Sequence, residues 1–491
     1  MSPMYLDEKL GVDRVAIIGA GPCGLAMAKY LLAEKKFTKI EVFEQRASVG
    51  GVWNYTPLNV IDNDFTVPRT HPTKLPDTAV RVNNSETAQF VSPVYEFLET
   101  NIPHSLMNYA DQGFPSGSSL FPKHAVVKQY LVDYAAELQP YLTLQTQILD
   151  VCKSRAESGK SCWELQILDL KSNQTRKEMF DAVVVASGHY NDPYIPDIKG
   201  LAEFNETHPG AISHSKFYRR PDQYQDKKVI VVGNSASGID ISAQVGTVCK
   251  QPIIVSEKST PATPVEKRSY VKSVPEIVEV DSKTRSIRFA DGDVETDVDA
   301  IVFCTGYFYS YPFLKSLSPP VVTDGSCARN LYEHVLYIDD PTLAFLGIPQ
   351  RVVPFPIAEV QSAWVSRIWA DRLPMPPVED MRKSEEATFL AKGARAMHNM
   401  AFPQDADYIN RLHDAAVSAK PVQGLDNEGK GKIPPYWGED KRWARERFPM
   451  IKIASRALGD KRHEIRTLKE LGFDYEAWKA SGSKELEEKL I

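Results

Sequence analysis

The chain has 491 residues, 43% of them hydrophobic and 25% charged, which is average globular usage and leaves disorder, collagen and coiled coil excluded as its main state. At roughly 100 to 200 residues per domain it holds about three units, or fewer and larger ones. Lys plus Arg number 58 and Asp plus Glu 64, a formal charge of −6 without long single-sign blocks, so neither nucleic acid nor an anionic membrane is expected as a partner.

The cysteines stand at 23, 152, 162, 249, 304 and 327, with no CxxC, no paired cluster and no His at zinc-finger spacing. No disulfide framework and no metal site are expected from that arrangement. The opening MSPMYLDEKLGVD lacks a basic region followed by a long apolar run, and no stretch of about 18 uninterrupted apolar residues occurs. The expectation is a soluble, cytoplasmic protein without a membrane anchor.

In chain order, the β-branched run RVAII (14–18) meets Gly19-Ala20-Gly21-Pro22-Cys23-Gly24 and then LAMAKYLLAE, a strand, a glycine turn and a helix. A pyrophosphate binds backbone N–H groups at a helix N-terminus only where nothing obstructs close approach. Gly19 suits the tight turn, Gly21 the approach, and Gly24 the packing of helix on strand. An acid should follow about 20 residues on to hold a ribose hydroxyl, and Glu44, ending IEVFE just before Gln45, fills that place. The strand DAVVVA (181–186) then closes the unit at Ser187-Gly188-His189.

The same opening recurs as KVIVV (228–232), Gly233-Asn234-Ser235-Ala236-Ser237-Gly238 and IDISAQVG, with Ser235 in place of the middle glycine. Its second strand, PIIVSEKS, ends in Ser256, Glu257 and Lys258. A hydroxyl and an ammonium there favour the 2′-phosphate of NADP, and Glu257 argues mildly the other way. DAIVFC (299–304) closes this unit, and prolines at 193, 196, 312, 319 and 320 mark crossings between units. Two such sites imply two nucleotides, and the usual partnership is FAD with NAD(P)H. The expected fold is α/β: a Rossmann-type FAD domain over 1–204, an inserted Rossmann-type NADP domain over 205–315, a return to the FAD domain over 316–380, and a helical C-terminal extension over 381–491.

Several segments resemble the flavin-containing monooxygenase family. Arg46-Ala47-Ser48-Val49-Gly50-Gly51-Val52-Trp53 resembles its R-x-x-x-G-G-x-W segment. HPGAISHSKFY (208–218) resembles its F-x-G-x-x-x-H-x-x-x-Y/F motif through Gly210, His214 and Tyr218, with His208 in the first place. ASGHY (186–190) and CTGYFYSYPF (304–313) resemble its hinges, Thr100-Asn101 its Thr-Asn pair, and LYEHVLYIDDPTLAFLGIP with PFPIAEVQSAW its return to the FAD domain. The resemblance covers roughly residues 12–375 and looks nearest to fungal members acting on N or S centres.

The resemblance implies that FAD is held by the first turn with Glu44, Gln45, Gly51, Val52, Trp53, Thr100, Asn101 and Gln361. NADPH is held by residues 233–238 with Ser256 and Lys258, while His214 and Tyr218 order the linker and NADP. It further implies that NADPH reduces FAD, that O2 adds at carbon 4a, and that the hydroperoxide awaits a thiol, thioether or amine. Asn101 is the side chain implied beside that oxygen, because an amide donates and accepts at once. His214 and Tyr218 would share a face if the segment were helical. Trp53 is read as flavin packing or core, and Trp364 and Trp369 as core. A Baeyer-Villiger oxygenase is disfavoured by Tyr218-Arg219 where those enzymes carry Trp with Pro or Asp. A peroxide-releasing NADPH oxidase, a flavoprotein sensor and a homodimer stay open.

Overall fold

The structure, a computed structural model, describes residues 9–57, 65–80, 87–157, 159–258 and 269–481. The first turn follows strand β1 (Arg14–Ile18), whose side chains are buried after the first residue, as befits a parallel strand covered on both faces. Helix α1 (Pro22–Ala33) leads from the turn to β2 (Lys39–Glu44), which pairs parallel with β1, Arg14 opposite Lys39. On the other flank β1 pairs parallel with β3 (Ala182–Val185). Leu142–Leu144 extends the sheet beyond β2, and Leu343–Phe345 beyond β3, followed by two short antiparallel strands. The antiparallel meander Thr146–Arg155, Ser161–Asp169 and Gln174–Phe180 covers one face, burying Trp163, Leu165 and Ile167 with Val183 and Val185.

The second unit repeats the plan: β4 (Val229–Val232), α2 (Ala236–Val245), β5 (Ile253–Ser256) and the closing β6 (Ala300–Phe303). Its five strands are all parallel, with Val271–Val274 and Ile212–His214 at the edges. Both closing strands are announced by an aspartate that accepts backbone N–H groups where the unit's first strand begins. Asp181 Oδ2 takes those of Asp13 and Arg14 at 3.0 and 2.8 Å, and Asp299 Oδ2 that of Lys228 at 2.8 Å.

The units meet where Asp192–Pro193 pairs antiparallel with Tyr307–Phe308. The insertion therefore begins and ends earlier than boundaries at 205 and 315. Helix Leu201–Thr207 buries Leu201 and Phe204 in the core of the second unit, and Tyr309, Tyr311, Phe313 and Leu314 already pack in the first. The chain then forms α3 (Pro354–Trp369), buried along almost its whole length, with Trp364 and Trp369 in the core beside α1. The extension is helical: α4 (Gln404–Val417) packs on α3, and α5 (Phe448–Ala457) lies in a second cluster with Leu106, Leu120 and Phe121. Among the described residues no helix is long and apolar enough to cross a membrane, and no group of three or more His, Cys, Asp or Glu is placed to hold a metal ion.

Within α3, Glu359 is fully buried, accepting from Tyr30 Oη at 3.2 Å and from the Ala110 N–H at 2.8 Å. Burial pushes its carboxyl up to about 8. The folded value lies above the unfolded one, so the proton's contribution to stability is fully present below about pH 4.3 and is lost as pH rises through about 8. Gln in its place keeps an acceptor for Ala110 and donates to Tyr30, whose hydroxyl then serves Ile433 O at 3.3 Å. Glu359→Gln is expected to gain stability relative to the parent between pH 5 and 8, by on the order of a few kcal/mol. Denaturant melts across that range check it, and parallel pH curves would refute it.

Candidate active site

The two turns share one backbone. Gly19 has φ +107° and Gly233 φ +106°, the left-handed side that favours glycine. A Cβ on either would come within 2.7 Å of the carbonyl oxygen of Ala186 or Cys304, at the end of the closing strand. A Cβ on Gly24 would lie 1.8 Å from Gly19 O, and one on Gly238 1.9 Å from Gly233 O. Those positions seat helix on strand. The middle positions differ in kind, because Gly21 has φ −79° and Ser235 φ −81°, which any residue adopts. Ser235 therefore departs from the glycine pattern without backbone strain. It is exposed, as is Ala236, while Asn234 and Ser237 are half-buried.

The acids also correspond. Gly19 N donates to Phe43 O at 2.7 Å and Gly233 N to Ser256 O at 2.9 Å, so Glu257 rather than Ser256 takes the place of Glu44. Glu44 is buried, its oxygens accepting from the N–H groups of Ala20 and Arg46 at 2.8 and 2.9 Å. Each oxygen keeps a lone pair for a ribose hydroxyl. Glu257 accepts from Asn234 Nδ2 at 2.8 Å. Ser256 is buried and donates to Pro275 O at 2.9 Å, whereas Lys258 is exposed and pairs with Glu276 at 3.4 Å. Gln45 lies beside Glu44 but binds Asp77 and Gln147.

The Gly50-Gly51 turn stands against the first glycine turn. A Cβ on Gly51 would come within 2.9 Å of Gly21 Cα, while one on Gly21 meets nothing closer than Gly51 Cα at 3.5 Å. Two polar side chains that the sequence reading passed over secure it. Asn54 Nδ2 donates to Val49 O and Gly51 O at 3.1 and 2.9 Å, and Lys128 Nζ donates to Ser48 Oγ at 2.6 Å and to Val49 O. Asn54 follows the G-G-x-W segment directly, which is a usable local signal. Lys128 lies on a helix 79 residues from Val49 and has none. Val52 O accepts from Ser92 Oγ, and Trp53 is half-buried against the first core.

Thr100 is buried, with Oγ1 donating to Ile102 O at 2.8 Å. Asn101 beside it is half-buried, and its amide makes no hydrogen bond to any described residue. Its segment is tied to the FAD turn by Tyr109, whose hydroxyl donates to Pro22 O at 2.8 Å. Gln361 is elsewhere engaged, fully buried, accepting from Gly347 N at 3.0 Å and donating to Tyr408 Oη at 3.1 Å. The structure thus gives it a place in the core of the FAD unit, where it orders the Gly347 backbone.

His214 ends an edge strand and Tyr218 follows a single 3-10 turn, so they do not share a helical face. His214 is fully buried, pairing through Nε2 with Gly306 O at 3.0 Å and accepting from Lys216 N at Nδ1 at 3.1 Å. With Nδ1 an acceptor, Nε2 carries the proton, and burial holds the ring neutral, at about 3. A neutral ring bonded on both sides orders the hinge. Tyr218 donates to Gln244 Oε1 of α2 at 3.0 Å.

Cradles a Cβ would fill, a free helix N-terminus behind each, and an acid at the end of each second strand fit two dinucleotides, with one unit inserted in the other. That is a two-dinucleotide-binding flavoprotein. Comparison with known proteins narrows the class. The sequence matches the family described as flavin-binding monooxygenase-like over residues 81–270 and 268–423, and an NAD(P)-binding Rossmann-like domain over 17–71. It is 34% identical over 410 residues to "Flavin-containing monooxygenase FMO GS-OX-like 4" of Arabidopsis thaliana, covering 79% of this chain and 84% of that one. It is 32% identical to "Thiol-specific monooxygenase" of Saccharomyces cerevisiae, over 82% and 84% of the two chains. The solved S-allyl-L-cysteine S-oxygenase from Allium sativum is similar over 97% of this chain and 98% of that one, with a TM-score of 0.74 and 28% identity. The chain belongs to the flavin-binding monooxygenase-like family and is a flavin-containing monooxygenase, with FAD and NADPH as its cofactors.

Proposed function

We propose that this enzyme places one oxygen atom of O2 on a soft nucleophile, sulfur in preference to nitrogen, by way of a C4a-hydroperoxyflavin. The observation that carries the reading is the half-buried Asn101 amide, which has no partner among the described residues and stands on a segment bonded to the FAD-turn helix. Sulfur is preferred because a thiol-specific monooxygenase and an S-oxygenase are among the relatives.

FAD, when bound and reduced by NADPH, supplies the activated oxygen, so the protein needs no nucleophile of its own. The backbone at Gly19–Gly24 and Gly233–Gly238 holds the two pyrophosphates, and Glu44 takes a ribose hydroxyl. Asn101 donates through Nδ2 and accepts through Oδ1, steadying a protonated oxygen without removing its proton. Lys128, Asn54 and the paired glycines keep the flavin-side turn closed against the first, which limits the entry of water.

The test is to reduce the purified protein with NADPH, mix it with O2, and follow the flavin spectrum without substrate. A long-lived species distinct from oxidised flavin is expected, followed by oxygen transfer to members of a thiol, thioether and amine panel. Immediate return to oxidised flavin with one peroxide per NADPH and no panel product would sink the proposal in favour of an oxidase. Lactone formation from a ketone panel would replace it with Baeyer-Villiger chemistry.

A further inference from the structure

The carbonyl of Thr100 is held from far away in the chain. It accepts from Lys452 Nζ at 2.8 Å across 352 residues, and the ammonium also sits 4.1 Å from the centre of the Phe121 ring. Lys452 projects from α5, and that helix is anchored at several points. One turn on, Arg456 pairs at 3.5 Å with Asp240 of α2, the helix of the NADPH turn. The same carboxylate group accepts from Tyr95 Oη at 2.5 Å and Gln244 Nε2 at 3.1 Å, and Gln244 in turn receives Tyr218. Past the helix, Arg462 grips both oxygens of Glu99 at 3.0 and 3.1 Å, joined by His463 at 2.5 Å. Leu120 N donates to Ile465 O at 2.7 Å, and His104 Nε2 lies 3.0 Å from Arg466 O. Residues 452–466 thereby hold the segment around Asn101 on both sides.

The carbonyl of Thr100 and the N–H of Asn101 belong to one rigid peptide plane. Fixing the first fixes the second and the place of the Asn101 Cα, the point from which that side chain leaves the backbone. We propose that Lys452 is a positioning residue for oxygen transfer, orienting the Asn101 amide through the Thr100 carbonyl, a role that rests on the reading of Asn101 above. Misplacing a group by about 1 Å costs up to about 100-fold in such steps, so loss of one charge-assisted hydrogen bond here has leverage.

The experiment compares flavin-loaded parent, K452M, K452Q, K452R and N101A without substrate, reading NADPH oxidation, peroxide release, flavin content and anaerobic reduction by NADPH. K452M is expected to consume NADPH and release peroxide about tenfold faster than the parent, approaching N101A, with flavin content and reduction rate unchanged. K452R, which keeps the cation, is expected near the parent. K452Q, too short to reach the carbonyl, is expected to behave as K452M and replaces it if that variant does not fold. Parental rates in K452M and K452Q beside a fast N101A overturn the proposal alone. A slow N101A overturns the reading of Asn101 and the proposal with it. Equal leakage from K452M and K452R, or leakage that only tracks flavin loss, overturns the positioning role in favour of a general structural one.

Discussion

Gly24→Ala is expected to be recovered without flavin, at less than about one tenth of the parental flavin per chain, and with a lowered melting temperature. The methyl group would have to occupy a point 1.8 Å from the Gly19 carbonyl oxygen, 3.0 Å from the carbonyl carbon and 3.3 Å from the Ile17 side chain. The Gly19 carbonyl is backbone and cannot yield as a flexible side chain would, so α1 must lift off β1. The N–H groups at its start then lose their aim. Overpacking of this kind costs about 1–3 kcal/mol even where side chains absorb it. Gly21→Ala makes the contrast. Its backbone is ordinary and its methyl meets Gly51 Cα at 3.5 Å, so that variant is expected to fold normally and to bind FAD more weakly. Flavin absorbance per protein, with thermal melts of both, checks the pair. A fully yellow Gly24→Ala protein would remove this turn from the FAD site.

Asn101→Ala is expected to keep FAD and its reduction by NADPH while raising substrate-free NADPH oxidation about tenfold, all of it recovered as peroxide. That corresponds to about 1.4 kcal/mol less stabilisation of the oxygen adduct, the worth of one good hydrogen bond in a site shielded from water. The fold has little stake in the amide, which bonds to none of the described residues, so melting should be unchanged. Oxygen-electrode and peroxide assays distinguish the outcomes, and unaltered coupling would take Asn101 out of the chemistry.

Both Rossmann openings were legible from local pattern, because strand, turn and helix lie within some twenty residues and the glycines are demanded by contacts inside that span. Gly24 against Gly19 and Gly238 against Gly233 are such contacts. The departure at Ser235 was legible as a departure, and only the torsion at that position shows that it costs the backbone nothing. Register across a sheet was not legible. Ser256 and Glu257 are neighbours in the sequence, and the hydrogen bond from Gly233 decides which of them stands where Glu44 does. Nor was the side-chain economy of α3, where Gln361 looks free on paper but spends both ends of its amide on Gly347 and Tyr408. The extension carried no motif, since its contribution is made by single cations such as Lys452 and Arg456 that look like any solvated helix face. Their partners, Thr100 and Asp240, lie hundreds of residues upstream.

That separation sets an order of events during synthesis. A ribosome adding about 5–20 residues per second needs roughly 20–70 s to make the 352 residues between Thr100 and Lys452. Both nucleotide-binding sheets are complete by Phe345, about a hundred residues earlier. A nascent chain therefore has every strand it needs to take up flavin before the brace for its Thr-Asn segment has been translated. Until that brace arrives, such a chain is a flavoprotein whose Thr100-Asn101 segment lacks its tether, and on the role proposed above for Asn101 a stalled or shortened product would spend NADPH on peroxide.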